Sequence, residues 1–161
     1  MNKSIESIRN TRSYLLQLVN GLTTEQLNEV PAGFNNNIIW NLGHLVASQQ
    51  GICYLRAGLK AWVSEKVYGD YKPGTKPTGF LNNSEIEDIK NLLITSLNQT
   101  ETDYSNSLFE NYTTWTTRYG VTITTIDEAL QFLLFHEGLH TGYIMALKRV
   151  VTNQATAPES R

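Results

Sequence analysis

An all-α chain folded as an antiparallel four-helix bundle with one long crossover connection is what this sequence predicts. Four segments repeat apolar residues at three- and four-residue steps, capping residues stand ahead of most of them, and there is no internal repeat and no second apolar core. At 161 residues the chain can bury one core without disulfides. We therefore expect one domain over 1–152 and a polar tail over 153–161.

Residues 3–20 place Ile5, Ile8, Arg12, Leu15, Leu16 and Val19 on a mostly apolar stripe, a first helix that Asn20-Gly21 ends. Thr23-Thr24-Glu25-Gln26 reads as a capping box for one short turn before Pro31. Asn35, Asn36 and Asn37 offer N-caps for a second helix carrying Ile39, Trp40, Leu42, Leu45, Val46, Ile52 and Leu55 to about Gly58. From Leu59 to Asn82 the residues Gly69, Pro73, Gly74, Pro77 and Gly79, with Trp62, Tyr68 and Tyr71 among them, predict a long ordered loop. These aromatics are candidates for a lid or specificity wall, or for plain packing over the helix ends.

Ser84-x-x-Glu87 reads as the box that opens a third helix with Ile86, Ile89, Leu92, Leu93, Leu97 and Tyr104 inward. Residues 106–124, rich in Thr and β-branched residues, predict extended connections rather than a sheet. Thr125-x-x-Glu128 starts the last helix, where Ile126, Ala129, Leu130, Leu133, Leu134, His136, His140, Ile144 and Leu147 recur in step, and Lys148 and Arg149 suit its carboxyl end.

Composition excludes several functions. A net charge of -2 with no Lys/Arg face argues against a nucleic-acid partner. The single cysteine, Cys53, rules out an internal disulfide framework and cysteine-rich zinc modules. The amino terminus has no signal-like apolar stretch, and no segment approaches the roughly 20 apolar residues that cross a bilayer. We expect a soluble, cytoplasmic protein without a membrane partner.

The chain has 3 histidines, His44, His136 and His140. His136 and His140 lie four residues apart, about 40° around a helix, so their rings project side by side from adjacent turns. Two imidazoles leave a divalent ion short of ligands, and His44, in the apolar context WNLGHLVAS, would complete an open three-histidine set. The plainer alternative makes His44 a core residue bonded to backbone or to Asn41, and the other two polar edge positions. Cys53, about half a turn away around the helix from His44, should stay out of the site.

His136-Glu137-Gly138-Leu139-His140 also spells the H-E-x-x-H motif of zinc peptidases, in which the glutamate is the general base. Such enzymes take a third ligand downstream, where this chain offers only Glu159 in its tail. Glu137 is thus a candidate catalytic base on a water at the ion, or else a solvated or helix-pairing glutamate.

Together, LTTEQLNEVPAGFNNNIIWNLGHLVASQQ and FHEGLHTGYIMALKR resemble the DinB-like superfamily, also called YfiT-like metalloenzymes, over nearly the whole chain. The resemblance implies a four-helix bundle with a long crossover and a nickel or zinc ion on His44, His136 and His140. Members often carry a glutamine three residues after the last ligand, where this chain has Tyr143. Characterised relatives are transferases and isomerases that use a low-molecular-weight thiol such as mycothiol or bacillithiol. By resemblance, then, we expect a metal-dependent enzyme, a thiol S-transferase or a hydrolase, acting on a small-molecule substrate as a homodimer. A non-catalytic metal-binding stress-response bundle and an H-E-x-x-H peptidase are the alternatives.

Overall fold

The computed structural model describes residues 2–154, and the fold is mostly helical. Helix α1 (Lys3–Val19) is capped by Asn2, whose Oδ1 accepts from the amides of Ser4 and Ile5. Helix α2 (Thr24–Asn28) has the expected reciprocal box of Thr23 and Gln26. Helix α3 (Ile38–Gln49) starts at Asn37, whose Oδ1 accepts from Trp40 N–H. It runs on as one π-helical stretch (Gln50–Tyr54) and one 3₁₀ turn (Leu55–Ala57), and Gly58 ends the run at φ +72, a left-handed conformation that glycine adopts without a Cβ penalty.

The segment read as a long loop contains a helix, α4 (Glu65–Tyr71), capped by the Ser64 hydroxyl. It is too short to show a periodicity, so the flanking Gly and Pro residues dominate the reading of the sequence. Helix α5 (Asn83–Ser105) begins two residues earlier than Ser84 implies, because Asn82 and Glu85 make the capping box. Strands β1 (Trp115–Thr116) and β2 (Thr122–Ile123) pair antiparallel in a small hairpin where extended connections without a sheet were expected. Helix α6 (Ile126–Gln154) starts under the Thr125 hydroxyl, which accepts from Glu128 N–H. Lys148 and Arg149 are not in its last turn; Lys148 Nζ donates to the Leu18 carbonyl instead, 2.5 Å. The expected tail at 153–161 therefore begins within α6, and 155–161 lie outside the described residues.

Cross-links fix the helix directions. Asn2 bonds Asp127, Arg12 bonds Glu137 and Lys148 reaches Leu18, so α1 and α6 run side by side in the same direction. Gln49 meets Ser96 and Tyr54 meets Asp103, so α3 and α5 are also parallel. The α1–α5 and α3–α6 neighbours are antiparallel, as Arg9 with Glu101, Arg12 with Leu93, and Asn41 with His140 show. Two adjacent parallel helices need a connection that returns along their full length, and residues 58–82 with α4 supply it.

Two apolar clusters fill the interior. One gathers Leu15, Leu42, Leu45, Leu93, Ile144 and Leu147, and the other Ile5, Ile8, Cys53, Leu97, Leu130 and Leu133. Each fully buried aliphatic side chain contributes about 1.5–3 kcal/mol over its exposed state. Among the described residues no helix is long and apolar enough to cross a membrane.

Candidate metal centre

Helix α3 is buried along its whole length, so the polar residues in it are held by specific partners rather than by water. His44 is one of them, only 7% exposed. Its Nδ1–H donates to the carbonyl of Tyr71 at the end of α4, 2.7 Å, and its ring stacks on Trp40 at 4.7 Å and 12°. The carbonyl can only accept, so Nε2 carries the free lone pair, to which the Ser48 hydroxyl donates at 3.2 Å. Gly43 makes this docking possible. A Cβ there would lie 2.5 Å from the Tyr71 ring, so any side chain would push α4 away from His44.

His140 is oriented by Asn41. The Asn41 amide donates to the Asn36 side chain and the Asn37 carbonyl, which leaves its Oδ1 to accept from His140 Nδ1–H at 2.8 Å. His140 Nε2 is thereby the lone-pair nitrogen. The plainer reading had His44 as a core histidine bonded to backbone or to Asn41: its partner is a backbone carbonyl, that of Tyr71, while Asn41 serves the other histidine across the α3–α6 contact. His136 Nδ1 is buried with no hydrogen-bond partner.

The three rings converge. His136 and His140 have centroids 4.5 Å apart, His44 and His140 4.8 Å, and His44 and His136 5.3 Å. One nitrogen from each lies within 4.8 Å of the others, and among the described residues no carboxylate or thiolate joins the group. Cys53 lies in the second apolar cluster, its thiol pushed up to about 12 by burial.

Burial, helped by the neighbouring imidazoles, pushes His136 down to about 3, and burial with His44 beside it takes His140 to about 4; His44 is lowered as well, again chiefly by burial. All three rings are neutral at physiological pH, the form that ligates metals. These residues fit a divalent ion: soft-to-borderline nitrogen donors, two tautomers set by second partners, and an unsatisfied third ring.

The triad lines a cavity of about 630 Å³. Tyr68 from the expected aromatic wall lines it, with Trp115, Tyr119 and Phe132 from the hairpin and α6; Trp62 is exposed elsewhere. Tyr143 does not line it and packs edge-on against Phe34 at 5.6 Å.

Glu137 faces another way. Its carboxylate is fully buried and its Oε1 accepts from Arg12 Nε at 3.0 Å and Nη2 at 2.7 Å. Arg12 also donates to the Leu45 and Leu93 carbonyls and to Gln49, so one guanidinium is bonded to all three other long helices. Burial raises the Glu137 carboxyl while Arg12 pulls the other way. Arg12 stands on the apolar stripe of α1, and a charge at a core position is the signal in the sequence of a buried partner.

The family model of the DinB superfamily matches residues 7–144. No curated protein matches the chain.

Proposed function

The chain belongs to the DinB superfamily, and we propose that it is a metal-dependent enzyme with one nickel or zinc ion held by His44, His136 and His140. The observation that carries this reading is a trio of neutral imidazoles lining a cavity, with no fourth protein ligand among the described residues. A structural ion is closed by four protein ligands, whereas three leave a position for water or substrate. When bound, the ion supplies Lewis acidity, which brings a water or a low-molecular-weight thiol to its reactive anion near neutral pH.

The protein's own groups have distinct tasks. The Tyr71 carbonyl and Asn41 hold two imidazoles in the tautomer that offers Nε2. The Ser48 hydroxyl, which donates to His44 Nε2 in the metal-free protein, would be released to hydrogen-bond the nucleophile once that nitrogen holds the ion. The aromatic wall shields a small electrophile from bulk water. In the overall reaction the thiol or water loses its proton to solvent, its sulfur or oxygen bonds the electrophilic carbon, and a leaving group departs from that carbon with the bonding pair and takes up a proton. In this reading the helices form one four-helix-bundle domain with a long crossover, acting in the cytoplasm as a homodimer. The exposed Phe135 and Met145 on α6 are candidates for the dimer surface.

A peptidase would need the Glu137 carboxylate at the water to be activated, and the Arg12 pair holds it in the core. Glu137→Gln checks this, because a peptidase would lose all cleavage of a peptide panel while keeping its metal. A non-catalytic metal-binding role competes only if a fourth ligand closes the site. The test of the main reading is elemental mass spectrometry on protein purified without a metal-affinity tag. We expect near-stoichiometric nickel or zinc in the parent and loss in His44→Ala and in His140→Ala; a metal-free parent that also refuses added metal would end it.

A further inference from the structure

Arg56 and Arg118 line the same cavity as the imidazoles, and its lining includes no Asp or Glu. Neither is in an ion pair among the described residues, whereas Arg9 and Arg12 are paired with Glu101 and Glu137. The two come from different elements, Arg56 from the 3₁₀ turn after α3 and Arg118 from the hairpin turn.

Each is braced. Arg56 lies over the Trp115 ring, 4.6 Å from its centroid; Trp115 Nε1 donates to Tyr112 Oη, which donates to the Ile52 carbonyl. Arg118 sits in a turn that Thr117 organises, its hydroxyl accepting from the amides of Tyr119 and Val121 and its own amide donating to the Val121 carbonyl. Two guanidiniums without a counter-ion among the described residues, on a chain whose net charge is -2, concentrate positive potential in the cavity that the imidazoles also line.

We infer that the molecule taken into this cavity carries an oxyanion, a carboxylate or a phosphate, which Arg56 and Arg118 hold while its other end reaches the imidazoles. Guanidinium groups suit this task because their forked donors match such anions, and the aromatic wall between them takes the apolar part of the molecule. The inference rests on the reading of this chamber as the substrate site.

The test uses the metal-free full chain at low ionic strength, titrated with succinate, with inorganic phosphate and with neutral succinamide, and followed by tryptophan fluorescence. We expect saturable binding of at least one anion and none of succinamide, with the tighter anion identifying the group. Affinity should fall by about tenfold or more in Arg56→Gln/Arg118→Gln, and Arg118→Lys should recover part of the loss measured for Arg118→Gln. Should the double variant fail to fold, Arg118→Gln decides, with a loss of about threefold or more expected at this exposed turn position. No saturation by either anion, or unchanged affinity in the arginine variants, overturns the inference. Metal is absent from this titration, so it can fail while metal analysis succeeds, and the reverse.

Discussion

His136 and Glu137 are neighbours in α6 and belong to two polar clusters built in opposite ways. Around Glu137, Arg12 bonds its carboxylate, Gln49 and the Leu45 and Leu93 carbonyls, and Gln49 in turn donates to Ser96 and Thr100. Among the described residues only Glu137 Oε2 in that network lacks a partner. Around His136 bonding capacity is left over: His140 has only its Nδ1 bonded, His44 Nε2 meets nothing but the Ser48 hydroxyl, and His136 has an orphaned Nδ1. Polar groups buried for structure use up their bonding capacity, and those buried for chemistry are oriented with capacity to spare. The difference separates a cross-brace between helices from a binding site one residue away.

The largest effect should come from breaking the closed cluster. Arg12→Met leaves a buried carboxylate uncompensated, and we expect a loss of about 3–5 kcal/mol in chemical denaturation. Arg12→Met/Glu137→Leu should recover most of it, since an apolar pair of similar volume often replaces a buried ion pair without cost. If the double variant is no more stable than the single, the pair does more than cross-brace.

The open cluster should respond to metal instead. At zinc or nickel about a thousandfold above Kd, the parent should gain about 4 kcal/mol, read as a higher Tm, and His140→Ala should lose that gain. Smaller effects are expected one shell out. Asn41→Ala frees the His140 ring and Gly43→Ala displaces Tyr71 from His44, so each should weaken metal affinity roughly 10- to 100-fold by competition titration.

A pH dependence of the metal-free protein is expected as well. Unfolded histidines take up protons below their ordinary 6.5, whereas folded His140 waits until about 4 and His136 until about 3. The unfolded state then binds more protons across that window, so stability falls as pH drops from 6.5 towards 4. A Tm that is flat or rising on acidification would contradict these depressed values. His136→Ala/His140→Ala should flatten the slope.

Much of this was readable in the amino-acid order. The step of His136 and His140 placed two rings together, the long apolar periodicities placed four helices, and Thr23 with Gln26 announced its own cap. Helix α4 was hidden because seven residues give no period and prolines and glycines follow it closely. The parallel pairing of α1 with α6 was hidden because periodicity marks a buried face and not a direction. Asn41 and Arg12 needed tertiary knowledge: the one bonds across α3 to α6, and the other reaches Glu137 over 125 positions of chain.

X-ray absorption on the metal-loaded protein tests the open site most directly. We expect three imidazole nitrogens at about 2.0–2.1 Å and a further light-atom ligand that exchanges for sulfur on addition of a small thiol. Fewer than three imidazoles, or a fourth protein ligand that no thiol displaces, would contradict it.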